Sequence, residues 1–124
     1  MPASFDYAVI RVVPRVEREE FINAGVIVFC LERRYLAARI HFDEDRLKAL
    51  WPDVDADLVR EHLAAVERIC EGDPAAGPIA GLPQRERFHW LVSARSTIIQ
   101  PSPVHTGICD DTGDLLDRLA EQFL

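Results

Sequence analysis

Apolar and polar positions divide the chain into short blocks with two different periods. Residues 5–14 read Phe5-Asp6-Tyr7-Ala8-Val9-Ile10-Arg11-Val12-Val13-Pro14, rich in the β-branched and aromatic side chains that suit a pleated surface. Odd and even positions are both mostly apolar, which predicts a strand covered on two sides. Pro14 has no N–H for a ladder and marks the end of the run. Residues 24–31 are again apolar on both faces. Residues 35–42 alternate, with Leu36, Ala38, Ile40 and Phe42 on one face and Tyr35, Ala37, Arg39 and His41 on the other. Only Glu32-Arg33-Arg34 separates these last two runs, which predicts a tight hairpin.

Between the first two strands lies the charged connector 15–23, in which Val16, Phe21 and Ile22 are the apolar positions. It fits a helical turn or a folded loop. Gly25, at the start of the second strand, signals a bulge or a close backbone approach.

The period then changes to that of helices. Acids at 43–45 precede Leu47, Leu50 and Trp51, and Pro52 stops this short helix. The clearest helix spans 55–71: Leu58, His62, Leu63, Val66, Ile69 and Cys70 form one stripe, and Gly72 fits its C-terminal cap. Residues 71–83, with three glycines and three prolines, form a loop. Pro83 suits the first turn of a helix over 84–92, with Phe88, Leu91 and Val92 inward and Trp90 off that stripe. Residues 96–100 predict a fourth strand ending at Pro101-Ser102-Pro103. Leu115, Leu116, Leu119, Ala120 and Phe123 predict an amphipathic closing helix. Segregated strands and helices indicate an α+β class, with an antiparallel sheet of three to four strands and helices packed on it, in a single domain over 1–124.

The totals narrow the function classes. At 124 residues, 48% hydrophobic, the chain is long enough to bury a core. A net charge of −7 argues against broad binding to nucleic acid or to an anionic membrane surface. No apolar run is long enough to span a bilayer, and no basic-then-apolar leader opens the chain. Cys30, Cys70 and Cys109 are odd in number and widely spaced, which predicts free thiols and a reduced, cytoplasmic setting.

Arg11-Val12-Val13-Pro14, Glu17 and Glu20-Phe21-Ile22-Asn23-Ala24-Gly25, with Arg95-Ser96-Thr97 further on, resemble a bacterial family across nearly the whole chain. It is the domain-of-unknown-function family numbered three thousand and thirty-seven. The resemblance implies a small bacterial protein without an assigned activity. It also implies a candidate partner, because relatives are often encoded beside a kinase-like protein of the toxin-kinase type. It assigns no catalytic residue.

Arg11 is the oddest residue, a guanidinium in an apolar strand that requires acceptors. One reading is a structural brace with Glu17 or Glu20. The other is a ligand pocket in which Arg11 and Arg95 clamp an anion, with Glu17 or Glu20 as base or metal ligand. Arg95, Ser96 and Thr97 together suit a phosphate or carboxylate, and equally a helix cap and strand start. There is no glycine-rich phosphate loop, and no cofactor is expected. His105 and Cys109 would share a face only on a helix, which Pro103 and Gly107 oppose, so no metal site is expected. Cys30, Cys70 and His62 fit core or rim positions. Arg39, His41 and Trp90 are candidates for a partner surface. Two function classes follow: a non-catalytic protein-interaction module, or a small enzyme or binder of an anionic ligand using Arg11, Glu17, Glu20 and Arg95.

Overall fold

Strand β1 (Ala3–Val12) organises the sheet in the computed structural model, which describes residues 2–95 and 97–124. Along one side β1 pairs antiparallel with β2 (Ile22–Cys30), which pairs in turn with β3 (Tyr35–Ile40). Along its other side β1 pairs with two short strands. β4 (Ile99–Pro101) lies opposite residues 10–12, and β5 (His105–Cys109) lies opposite residues 3–7. The fold is α+β, and among the described residues its antiparallel sheet has five strands rather than three or four. The additional strand, β5, has one buried residue, Cys109, so it carries no apolar alternation of its own. Its pairing is supplied by the edge of β1.

Both faces of the sheet are covered, as the apolar runs require. On one face Ala8, Ile10, Val12, Ile27 and Phe29 pack with residues of α1 (Glu44–Leu50), α2 (Ala56–Glu71) and α3 (Gln84–Leu91). On the other face Phe5, Val9, Val26, Val28 and Cys30 pack with Leu115 and Leu119 of α4 (Leu115–Phe123). Val26, Ile27 and Val28 are completely buried, which needs cover from both sides. Phe29 and Phe88 stack across the first core with ring centroids 5.3 Å apart.

The ends of α2 follow from its sequence. Asp55 accepts from the Leu58 N–H at 3.1 Å, and Gly72 closes the helix in the left-handed region at φ 73°. The buried stripe is Ala56, Val59, Leu63, Val66, Ile69 and Cys70. Leu58 and His62, expected within it, are exposed, because the helix turns Val59 rather than Leu58 onto the sheet.

A bulge interrupts the pairing of β1 and β2. Ile10 faces Gly25 and Arg11 faces Asn23, so β2 holds one residue more than β1 at this point. The chain approaches closely here as well: a Cβ on Gly25 would lie 2.6 Å from Ile40 Cδ1 and 3.0 Å from the Arg39 carbonyl oxygen. The extra residue shifts the phase of β2, so Ile22 and Ala24 join the first core while Val26 and Val28 join the second. Asn23 then lies beside α4, where its side-chain amide donates to the Phe123 carbonyl at 3.2 Å.

β4 is registered by main-chain bonds at both of its ends. Val13 N–H donates to Ile98 O at 2.7 Å, and Ser102 N–H donates to Val9 O at 2.8 Å.

Candidate functional site

The connector between β1 and β2 forms a single 3-10 turn, Val16–Arg18, followed by Glu19 in the left-handed region at φ 56°. This turn decides where the acids go. Arg15 Nε donates to Glu17 at 2.9 Å, and Arg18 Nε donates to Glu20. The main chain of Glu17 and then the Arg15 hydrogen bond hold its carboxyl below the usual carboxylate range. The brace expected between Arg11 and Glu17 or Glu20 does not form. The local turn lets each acid reach an arginine two residues away, at no cost in loop ordering, before it can reach β1.

Arg11 instead lies over the Phe21 ring, with its guanidinium carbon 4.3 Å from the ring centroid. Its Nε is buried and has no hydrogen-bond partner among the described residues. Gln100 is directly opposite Arg11 in the β1–β4 pairing. Arg95, from the segment between α3 and β4, stacks on Trp90 at 4.3 Å and donates to the Trp90 carbonyl. Burial pushes the Arg95 pKa down, the direction expected of a cation withdrawn from water.

These residues meet. Arg11, Val13, Val16, Glu19, Phe21, Arg95 and Gln100 line one open cavity of about 280 Å³. Neither Arg11 nor Arg95 has a carboxylate within ion-pairing distance among the described residues. A second cavity, of about 440 Å³, also includes Arg95 in its wall. There it is joined by His62, Val66, Ile69, Trp90, Leu91, Thr97 and Ile98. The two cavities lie on opposite faces of the sheet. Arg11 and Gln100 pair on one face, whereas their neighbours Val12 and Ile99 point into the first core.

Of the residues singled out in the sequence, Arg11 and Arg95 thus come together, and Glu17 and Glu20 do not join them. Ser96 lies outside the described residues. Thr97 Oγ1 donates to the Ile99 carbonyl at 2.9 Å, a strand-start contact within its own segment. Arg39 forms an ion pair with Asp117 of α4 at 2.6 Å. With Arg39, His41 borders a separate cavity of about 290 Å³ beside Ala120 and Leu124. Trp90 is 42% exposed, off the inward stripe of α3, and it forms the platform under Arg95. His105 and Cys109 occupy opposite ends of β5: His105 packs on Tyr7 with centroids 5.4 Å apart, while Cys109 is buried opposite Ala3. Among the described residues no group of three or more His, Cys, Asp or Glu is placed to hold a metal ion.

Five lining residues of the arginine cavity, Val13, Val16, Glu19, Phe21 and Gln100, are absent from the sequence-derived set. Gln100 is set by strand register, which a single sequence does not display. Glu19 is set by a left-handed turn. Phe21 carried a readable signal, an aromatic within a charged connector, and its 45% exposure shows that it is not a core residue.

The comparisons add the family but no further protein. Neither the curated proteins nor the solved structures yield a match. The chain belongs to the family described as "Protein of unknown function (DUF3037)", which matches it over residues 7–124.

Proposed function

We propose that the chain is a non-catalytic binding module that holds an anionic group between Arg11 and Arg95. The observation that carries this is the shared cavity. Two arginines from distant parts of the chain line it, each over an aromatic ring and neither in an ion pair among the described residues, with Glu19 the one acid in the wall. A guanidinium binds a carboxylate or phosphate through parallel N–H···O bonds, and partial withdrawal from water strengthens them. Contact with the Phe21 and Trp90 rings restricts the two guanidinium groups, so less freedom is lost when an anion arrives. Binding rather than turnover is favoured because Glu17 and Glu20, the acids that would act as bases, are held by Arg15 and Arg18.

Titration with inorganic phosphate tests this, with chloride at matched ionic strength as control. Phosphate should raise the melting temperature of the wild type and leave Arg11→Gln and Arg95→Gln unmoved. An equal rise in all three would place the anion elsewhere and end this reading.

A second reading has its own support. Phe21 and Trp90 are exposed aromatic residues beside arginines, the composition of protein-binding anchors. In that case the anion is an acidic side chain of a partner, and the family resemblance supplies a kinase-like protein as the candidate. Capture of such a partner by the wild type, lost in Trp90→Ala and in Arg95→Gln, would favour this reading over a free ligand.

A further inference from the structure

We infer that the anion held at Arg95 is the head of a small amphipathic molecule whose apolar body lies in the larger cavity on the other face of the sheet. This rests on the anion-binding reading above and adds the class of ligand. Arg95 stands in the walls of both cavities, at the corner where the chain enters β4. The larger cavity, about 440 Å³, falls within the roughly 300–1,000 Å³ typical of small-molecule sites. Val66, Ile69, Leu91 and Ile98 make its wall mainly apolar, and Trp90 adds a flat face.

The two halves call for different chemistry in one ligand. Apolar walls gain when water leaves them. A guanidinium without a carboxylate partner gains when an anion replaces the water it keeps. An inorganic anion would serve Arg95 and leave the apolar wall wet. A neutral apolar molecule would fill the cavity and strip water from Arg95 without pairing it. An amphipathic cation would set like charge against like. A carboxylate carrying a short alkyl chain or an aromatic ring meets both demands, with its head at Arg95, the residue that borders both cavities.

Octanoate, below its micelle concentration, is the probe. Acetate, octanol and octylammonium are the comparators, and calorimetry and the NMR shift of the Trp90 indole N–H are the readouts. Octanoate should bind at least tenfold more tightly than each comparator and should move the Trp90 signal. Arg95→Gln should weaken octanoate at least tenfold. Ala65 of α2 also lines the larger cavity, so Ala65→Phe narrows it and should weaken octanoate while keeping the phosphate response seen in the wild type; if that variant does not fold, Thr97→Phe, at an exposed lining position, replaces it. Octanoate no tighter than acetate, or unaffected by the narrowing variant, overturns the inference while a surviving phosphate response preserves the anion reading. Octanoate binding that persists in Arg95→Gln, with no phosphate response in the wild type, overturns both.

Discussion

Arg87 and Cys70 join two helices end to side: Arg87 Nη1 donates to the Cys70 carbonyl at 2.7 Å and to the Ile69 carbonyl at 2.8 Å. The last turn of α2 leaves carbonyls without intrahelical partners, and a cation at that end also opposes the helix dipole. Arg87 Nε donates in addition to Leu82 O at 2.8 Å, so one side chain ties α2, the glycine-proline loop and α3 together. Hydrogen bonds from charged groups contribute about 1.5–3 kcal/mol each, and these three share one side chain. Arg87→Ala should therefore lower unfolding stability in urea by about 2–4 kcal/mol. Lysine, a single point charge, should recover only part of the loss. A change below about 0.5 kcal/mol would mean that water replaces these bonds without loss.

Ser102 supports the other end of the molecule. Its hydroxyl accepts from the Val9 N–H at 2.8 Å and donates to the Pro103 carbonyl at 2.9 Å, and the residue is buried. Alanine would leave the Val9 donor unpaired inside the sheet, a cost of about 1–3 kcal/mol. Amide exchange at Val9 should accelerate in Ser102→Ala more than at Val26, which keeps its ladder contacts. Equal protection at Val9 in both proteins would count against this role.

Arg11 should contribute to binding far more than to stability. Loss of one partner from a buried ion pair costs ~3–5 kcal/mol, but Arg11 has no such partner among the described residues. Its contact with Phe21 contributes about 0.5–1 kcal/mol, and its buried Nε is unsatisfied. Arg11→Met, which keeps the aliphatic stem, should unfold within about 1 kcal/mol of the wild type. The same variant should lose the response to phosphate. A large drop in stability would reveal a brace that the folded geometry does not contain.

The thiols should be silent in the native protein. All three cysteines are free and buried, and burial, opposed by Arg87, pushes the Cys70 thiol up to about 12. Cys30 and Cys109 share the second core but lie on β2 and β5, with β1 between them. Two strand spacings of roughly 4.8 Å exceed the ~7 Å limit for a disulfide. A thiol reagent should count three groups after denaturation and react slowly before it. The raised pKa also sets a sign. Cys70 stays protonated when folded but ionises when unfolded, so its contribution is complete below pH 9.0 and is lost as pH rises toward about 12. A Cys70→Ala variant should show a shallower loss of stability over that alkaline range.

The framework was legible because its signals are local and agree with one another. Two-sided apolar runs marked β1 and β2, and Asp55 and Gly72 bracketed α2. β5 escaped because its pairing partner, not its own pattern, makes it a strand. The candidate site was legible only in part, for two physical reasons. Glu17 and Glu20 stand close to Arg11 in sequence, but a left-handed Glu19 turns them back onto Arg15 and Arg18. Arg11 and Arg95 stood out as unusual cations, yet their meeting depends on Gln100 lying opposite Arg11, a register that no stretch of sequence encodes alone.

The outer side of β4 limits how this molecule associates. Ile98 and Ser102 turn their main-chain groups toward β1, so strand alternation turns those of Ile99 and Pro101 outward. Pro101 offers no N–H, and the Ile99 carbonyl already holds the Thr97 hydroxyl. An approaching strand would find one free donor where a ladder needs a row of them. This β4 stretch of the sheet edge therefore resists growth by strand addition, into fibrils or onto a second sheet. Selectivity at the neighbouring cleft then falls to side chains, which evolution can alter one at a time without disturbing the ladder beneath.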